Sequence, residues 1–345
     1  MSKKYLVIIG VILLISAILV PACSPQPKSG TTAPIEMNVA FGDASASAFF
    51  QQVLVPWGEE IMQRSNGRIN VVHHHSGALG PATEHWDLVT KGLADVSWQL
   101  TMLAAGLFPL TEAAVLPPTG INSAEKLNRV LWDMYKTNKY FQEEYKDNKV
   151  LFYAGGPPQV LWANKEIKTI ADVKGMRIGT TGGPAVEAIQ LFEATPQFFL
   201  PIDMYLALEK GTIDGVAFIA EGVMAFKLNE TCKYCCWVEQ CPFAGVVSMN
   251  WNFWNKLPSD LQKVVEDVST PWSEKAGKAL DKTNTDSAEA LKKIGVIIYV
   301  VPANEKKQWY DAMQPMLNTW VTNTDKLGLP GQEILDDLMK VANKY

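Results

Sequence analysis

The sequence predicts an α/β protein built in two parts. Short apolar strand patterns alternate with helical ones from Glu36 to Trp98. A Gly/Pro cluster, Gly155-Gly156-Pro157-Pro158, breaks the pattern before a second alternation begins. A helical stretch from Ser259 to Ile294 is longer than one domain needs. The length of 345 residues fits about two domains. With 48% hydrophobic residues the chain can bury a sizeable core, which excludes a disordered protein. A net charge of -5 without a basic block argues against nucleic acid as a partner. A mean hydropathy near zero excludes a polytopic membrane protein.

The first segment stands apart from the fold. Lys3 and Lys4 precede an apolar run from Tyr5 to Val20, which is short for a span of about 20 residues. Residues 1–22 read as a secretory signal. Leu19-Val20-Pro21-Ala22-Cys23 resembles a bacterial lipobox, which implies cleavage before Cys23 and lipidation of its thiol. Residues 23–34 are rich in Ser, Pro, Thr and Gly and read as a flexible tether. Together they place the folded part outside a membrane, at its extracytoplasmic face.

The elements follow in order. Glu36–Phe41 is a strand ending at Gly42-Asp43, and Ala46–Arg64 has helical spacing closed by Ser65-Asn66-Gly67. Arg68–His73 is a second strand, Pro81–Lys91 a helix stopped by Gly92, and Ala94–Trp98 a third strand. Helices between short strands predict parallel β-α-β units. Ser123–Asn148 is helical and Val150–Tyr153 a strand. After the Gly/Pro crossover, Met176–Thr180 is a strand, Gly182-Gly183-Pro184 opens a helix to Phe192, and Met204–Lys210 is a short helix. Gly215–Ile219 is a further strand. Ser259–Ile294 reads as one long helix with interruptions at Pro271 and Gly277; it must bridge domains or kink at Pro271. In open α/β sheets ligands bind beyond the carboxyl ends of strands. This singles out Phe41-Gly42-Asp43, His73–Ser76 and Trp98-Gln99.

Five motifs then occur in sequence: Ser65-Asn66-Gly67-Arg68-Ile69, Leu79-Gly80, Ile170–Ile178, Ala207–Gly215, and Phe253–Pro258 followed by Asp260-Leu261-Gln262. In this order the chain resembles the substrate-binding proteins of tripartite ATP-independent periplasmic (TRAP) transporters. The resemblance implies a two-lobed periplasmic binding protein fold with a long helix spanning both lobes. It places lobe I at 35–156 plus about 245–284, and lobe II at 157–244 plus about 285–345. It implies capture of a small organic solute by a monomer, without cofactor, and delivery to an ion-coupled membrane permease. A ligand-sensing subunit of a signalling system is the alternative. Serine-hydrolase, Walker and zinc-protease motifs are absent from the sequence, which disfavours an enzyme.

The resemblance also marks departures. Relatives hold a ligand carboxylate with an arginine two residues after the position of Arg177, where this chain has Gly179. A second arginine falls at Gln159, and an asparagine near Phe218. Glycine cannot supply the planar fork that meets a carboxylate. Three readings follow: a neutral or aromatic ligand, an anion on the backbone of Gly179–Gly183, or another cation taking over. An aromatic or apolar part is expected from Trp98, Trp162 and Phe218. The candidate ligand contacts are Phe41, His74, Trp98, Gln99, Gln159, Trp162, Arg177, Gly179, Thr180 and Phe218. His73-His74-His75 point to alternating faces of an extended segment, so no metal site is expected. Cys232, Cys235, Cys236 and Cys241 are disulfide candidates; a thiolate metal site and free thiols are the other readings.

Overall fold

The computed structural model describes residues 33–104 and 106–345. The signal segment and the lipid attachment at Cys23 lie outside the described residues. The strands are β1 (Ile35–Ala40), β2 (Ile69–His74), β3 (Val96–Leu100), β4 (Lys149–Tyr153), β5 (Val160–Ala163), β6 (Arg177–Thr180), β7 (Thr195–Phe198), β8 (Gly215–Phe218), β9 (Tyr234–Trp237), β10 (Gly245–Met249) and β11 (Ile297–Val300). They form two sheets, ordered β2-β1-β3-β10-β4 and β11-β9-β5-β8-β6-β7. Each has a helix-covered α/β architecture. The long helix Trp272–Lys293 touches elements of both, which gives the two-lobed fold expected from the sequence.

The sheets are mixed rather than wholly parallel. β10 runs antiparallel to β3 and β4, and β5 antiparallel to β8 and β9. The cause is connectivity. The chain leaves the first sheet after β4, builds β5 to β9, and returns as β10 between β3 and β4. Central strands β5, β8 and β10 are buried at every position, whereas β7 and β11 are half exposed, as edge strands are. Pro196 is tolerated in β7 because that strand is an edge.

The two crossings lie side by side. Ala154 N–H donates to Gly245 O at 2.7 Å, Gly156 N–H to Phe243 O at 2.9 Å, and Gln159 N–H to Cys241 O at 3.1 Å. A Cβ on Gly156 would stand 2.0 Å from the Phe243 ring, so only glycine lets the strands cross this closely. The Gly/Pro cluster read as a crossover is therefore one strand of a hydrogen-bonded hinge.

Some helices are shorter than their periodicity predicts. Ser259–Ile294 is two helices, Ser259–Ser269 and Trp272–Lys293, with Thr270 and Pro271 in a turn. Proline lacks the N–H that a continuous helix needs there. Gly277 does not interrupt the second. Ser123–Asn148 divides at Asn138, whose side chain accepts from Tyr140 and Phe141 N–H and starts a new helix. Ala46–Arg64 contains a π-helical turn at Phe50–Leu54 before the α-helix Val55–Arg64, which has proline in its first turn.

One core lies under β1–β4, with Met37, Trp57, Phe152 and Trp272 buried. Trp57 Nε1–H donates to Ser269 Oγ at 3.0 Å, tying that core to the helix that precedes the long one. A second core lies in the other lobe around Trp162, Met204, Val216 and Leu291. The C-terminal helix Gly331–Ala342 packs on Ala124–Thr137 of the first lobe. Trp320 Nε1–H donates to Pro109 O at 2.8 Å, and Asn138 Nδ2 to Asp337 at 3.2 Å. The segment after 315 thus rests on the first lobe as well, not on the second alone.

Candidate functional site

The carboxyl ends of the two sheets face each other. Met102 follows β3 and lies 3.6 Å from Thr181 Oγ1, which follows β6. A Cβ on Gly183 would stand 3.3 Å from Met102. Glu221, in the first turn after β8, lies within the field of Asp43, which follows β1. Asn284 of the long helix accepts from Glu221 N–H at 3.3 Å. The lobes therefore meet around the loops that follow β1, β3, β6 and β8, where open α/β sheets bind ligands.

Asp43 follows β1. It is surrounded by protein yet still reached by water, and burial raises its pKa, with His85 opposing. Burial also raises the pKa of Glu221, and the charge of Asp43 adds to it. Glu112 and Glu187 form a second such pair, in which burial and then the Glu187 charge raise Glu112. No lysine or arginine among the described residues is a cause of these shifts. Sequence reasoning singled out Asp43 after the first strand but missed Glu112, Glu187 and Glu221; for Glu221 the signal was its place just after β8.

The residues singled out by sequence fall into three groups. Phe41, Trp98 and Phe218 sit at strand ends and are nearly buried. Trp98 stacks on Phe49 at 3.9 Å between ring centroids, and its Nε1–H donates to Ala154 O of the hinge. His74 Nε2 meets Asn38 Oδ1 at 2.9 Å at the end of β2. Gln99 is fully buried, with Oε1 accepting from Trp86 N–H at 2.9 Å. Gln159 is buried in the hinge, and its Oε1 has no hydrogen-bond partner among the described residues. Thr180 is buried, and its Oγ1 accepts from Gly182 N–H at 3.4 Å, which engages one donor of the Gly/Thr turn locally.

Three of the candidates sit differently from expectation. Arg177 opens β6, at the end opposite the interlobe region, and its guanidinium grips Asp214 with bonds of 3.0 and 2.6 Å. That pair lowers the Asp214 pKa and raises that of Arg177. Gly179 points its missing side chain into the lobe, where a Cβ would meet Ile213 Cδ1 at 2.7 Å and Val216 Cγ1 at 3.2 Å. Trp162 is fully buried and donates to Phe218 O at 3.0 Å, so it packs the second core.

The four cysteines are buried thiols. Cys232 and Cys235 belong to the core around Trp162, whereas Cys236 and Cys241 belong to a further core with Ile178, Phe192 and Trp309; the adjacent Cys235 and Cys236 of β9 face opposite sides of the sheet. Burial raises Cys232 and Cys236 to about 12. Among the described residues no cluster of His, Cys, Asp and Glu could hold a metal ion. No described helix is long and apolar enough to cross a membrane.

Comparison with known proteins fits this geometry. A TRAP solute-binding protein from Rhodoferax ferrireducens, solved with copurified benzoate, superposes with a TM-score of 0.84 at 25% identity. The match covers 90% of this chain and 98% of that one. A marine metagenome TRAP protein specific for aromatic acid ligands, with 3-hydroxybenzoate, gives a TM-score of 0.85 at 23% identity, over 91% and 99% of the chains. A monocarboxylate 2-oxoacid-binding periplasmic protein of Nostoc is 27% identical over 217 residues, which span 60% of this chain and 57% of that protein. The model of the bacterial extracellular solute-binding proteins, family 7, matches residues 42–323. The chain belongs to that family and is a TRAP-type, extracytoplasmic solute-binding protein.

Proposed function

We propose that the protein closes its two lobes on one small organic solute with an aromatic or apolar part and delivers it to a TRAP-type, ion-coupled permease. The observation that carries this reading is the meeting of the β3 and β6 loops through Met102 and Thr181. A hinge of two antiparallel crossings lets such lobes open and close, and a solute that touches both shifts the balance to the closed form. Trp98 and Phe218 at the strand ends, with Phe49 stacked on Trp98, supply apolar walls. The aromatic acids carried by similar structures support an aromatic solute. The two arginines expected of relatives are replaced by Gly179 and Gln159 and the asparagine by Phe218, so the polar end of the solute is held by other groups.

A lipid on Cys23 would hold the receptor at the membrane surface through the tether of residues 23–34, as a monomer. Two measurements test the reading. Mass spectrometry of the solute released from purified protein, followed by uptake assays with the neighbouring permease, should give one compound that the transporter moves. Binding without any permease-dependent uptake would favour the sensory alternative. Cys23→Ser should release ligand-competent protein from the membrane, and retention of that variant would refute the anchor.

A further inference from the structure

The end of β3 is tied to both hinge strands. Trp98 Nε1–H donates to Ala154 O at 3.0 Å. Three residues on, Thr101 N–H donates to Ala244 O at 3.1 Å, and Thr101 Oγ1–H reaches the same oxygen at 3.3 Å. Ala154 N–H in turn donates to Gly245 O at 2.7 Å, so the end of β3 and the two hinge strands form one hydrogen-bonded unit. The fit is close: a Cβ on Gly245 would stand 2.5 Å from Trp98 Nε1 and 2.7 Å from Ala154 O. Ala154, Ala244 and Gly245 all lie on the first-lobe side of the crossing at Gly156 and Phe243.

Thr101 also opens a single 3₁₀ turn, Thr101–Leu103, closed by Ala104 N–H on Thr101 O at 3.1 Å. This turn carries Met102 to the second lobe. There Thr181 Oγ1–H points at the Met102 sulfur from 3.6 Å, and a thioether is a weak acceptor. Next to Thr181, Gly182 and Gly183 take left-handed φ of 97° and 64°. A Cβ on Gly183 would come within 3.3 Å of Met102 Cβ, so the turn has its smallest residue where the methionine approaches. Met102 thus belongs to a body fixed on one side of the pivot, and the turn it meets belongs to the other. A rotation about the crossings has to make or break this contact.

We propose that Met102 is a positioning residue that latches the two lobes together on the turn Thr181–Gly183, with Trp98 and Thr101 as the arm that aims it from the hinge. This rests on the solute-receptor reading and names what holds the closed form at the rim. Methionine suits a contact that is broken and remade: it is unbranched, adapts its shape to the surface it meets, and its sulfur is polarizable. The turn Gly182-Gly183, one of the places the sequence offers for an anion, then owes its glycines to the side chain it receives.

The test needs no solute. Hydrogen–deuterium exchange on the full-length chain, read by mass spectrometry, follows the Thr181–Gly183 amides of the second lobe. Met102→Ala should speed their exchange at least fivefold and leave β5 unchanged. Met102→Leu, similar in length and volume, should stay within twofold of wild type. Trp98→Phe, which removes the indole N–H from the arm, should speed the same amides at least threefold. A role confined to packing within the first lobe would leave that turn untouched. Two cysteine pairs check the contact itself: Met102→Cys with Gly183→Cys, and Met102→Cys with Thr181→Cys. At least one should close to an intramolecular disulfide under copper phenanthroline, because disulfide Cβ atoms lie about 3.8 Å apart. The native thiols of the described residues are buried, and peptide mapping identifies the new bond. Exchange within twofold of wild type in Met102→Ala overturns the proposal. So does Met102→Leu exchanging as fast as Met102→Ala, or no cross-link in either pair. Unchanged exchange in Trp98→Phe alone overturns the arm. Each of these failures leaves the receptor reading intact, since that reading is judged by the solute released on unfolding.

Discussion

Gly277 offers a test in which helix propensity and tertiary packing predict opposite signs. It lies inside the long helix Trp272–Lys293. On propensity alone, Gly277→Ala should stabilise a helix interior by about 1 kcal/mol. The structure predicts the reverse. A Cβ at 277 would stand 2.4 Å from Glu125 Cα, 2.6 Å from Glu125 N and 2.8 Å from Ala124 C. All three are backbone atoms at the start of the helix Ala124–Thr137, so no side chain can rotate away. The two helices must separate. One turn further along, Asp281 accepts from Ala124 N–H at 2.8 Å and from Glu125 N–H at 2.9 Å, so the carboxylate caps that helix from outside. Overpacking costs about 1 to 3 kcal/mol. Stretching the two charge-assisted caps adds roughly 1 to 2 kcal/mol. Against the propensity gain of about 1 kcal/mol, the net is a loss of about 1 to 4 kcal/mol. Urea unfolding of wild type and variant, with unchanged m-value, measures it. A variant as stable as wild type, or more so, would refute the crossing geometry. An additional Asp281→Asn change should cost less in the Gly277→Ala background than alone, because the caps are already strained.

Other expectations are narrower. Glu144 accepts from Leu110 N–H and Thr111 Oγ1–H, yet burial outweighs these bonds and pushes its pKa up to about 8. The folded state therefore holds a proton that the unfolded state releases near 4.5. Stability should fall as pH rises from about 5 to 8, and Glu144→Gln should flatten that slope in urea titrations. A slope unchanged in the variant would place the proton elsewhere. Arg177→Ala should leave solute affinity unchanged, since the guanidinium is engaged by Asp214 away from the interlobe region; a tenfold loss in calorimetry would contradict this. Native protein should resist iodoacetamide at pH 8, because Cys232 and Cys236 are buried with pKa near 12, and all four thiols should react after unfolding. Rapid labelling of the folded chain would show that the β9 segment opens.

Strands flanked by helices were readable wherever alternation met a turn signal. β6 and β8 fall within the segments the sequence marks, and β1, β2, β3 and β4 overlap theirs to within one or two residues. β5 and β10 escaped because they are buried at every position, and β9 because it is buried at its centre; an apolar run of four or five residues without alternation reads equally as core helix. β7 and β11 escaped for the opposite reason: edge strands with half-exposed residues carry weak periodicity. The long helical run was legible as helix but not as two helices. A proline after a full helical period ends the first or kinks the whole, and the choice depends on what packs nearby. Here the turn at Thr270-Pro271 lets Ser269 bond Trp57 while Ser273 caps Tyr153 N–H at 3.0 Å, both in the first lobe. Packing on one lobe from two directions decided it.

The site was less legible, and the reason is geometric. Motif spacing told which residue stands where relatives keep an arginine, but not which way each position faces. Arg177 and Gly179 share one face of β6 by alternation. Arg177 is at the strand's start, within reach of Asp214, and cannot serve the carboxyl end of the sheet. Gly179 is covered by Ile213 and Val216, so its small size is explained by packing inside the lobe. The absence of an arginine at 179 therefore has a packing cause: a side chain there would run into Ile213 and Val216, and the space it needs is already filled inside the lobe.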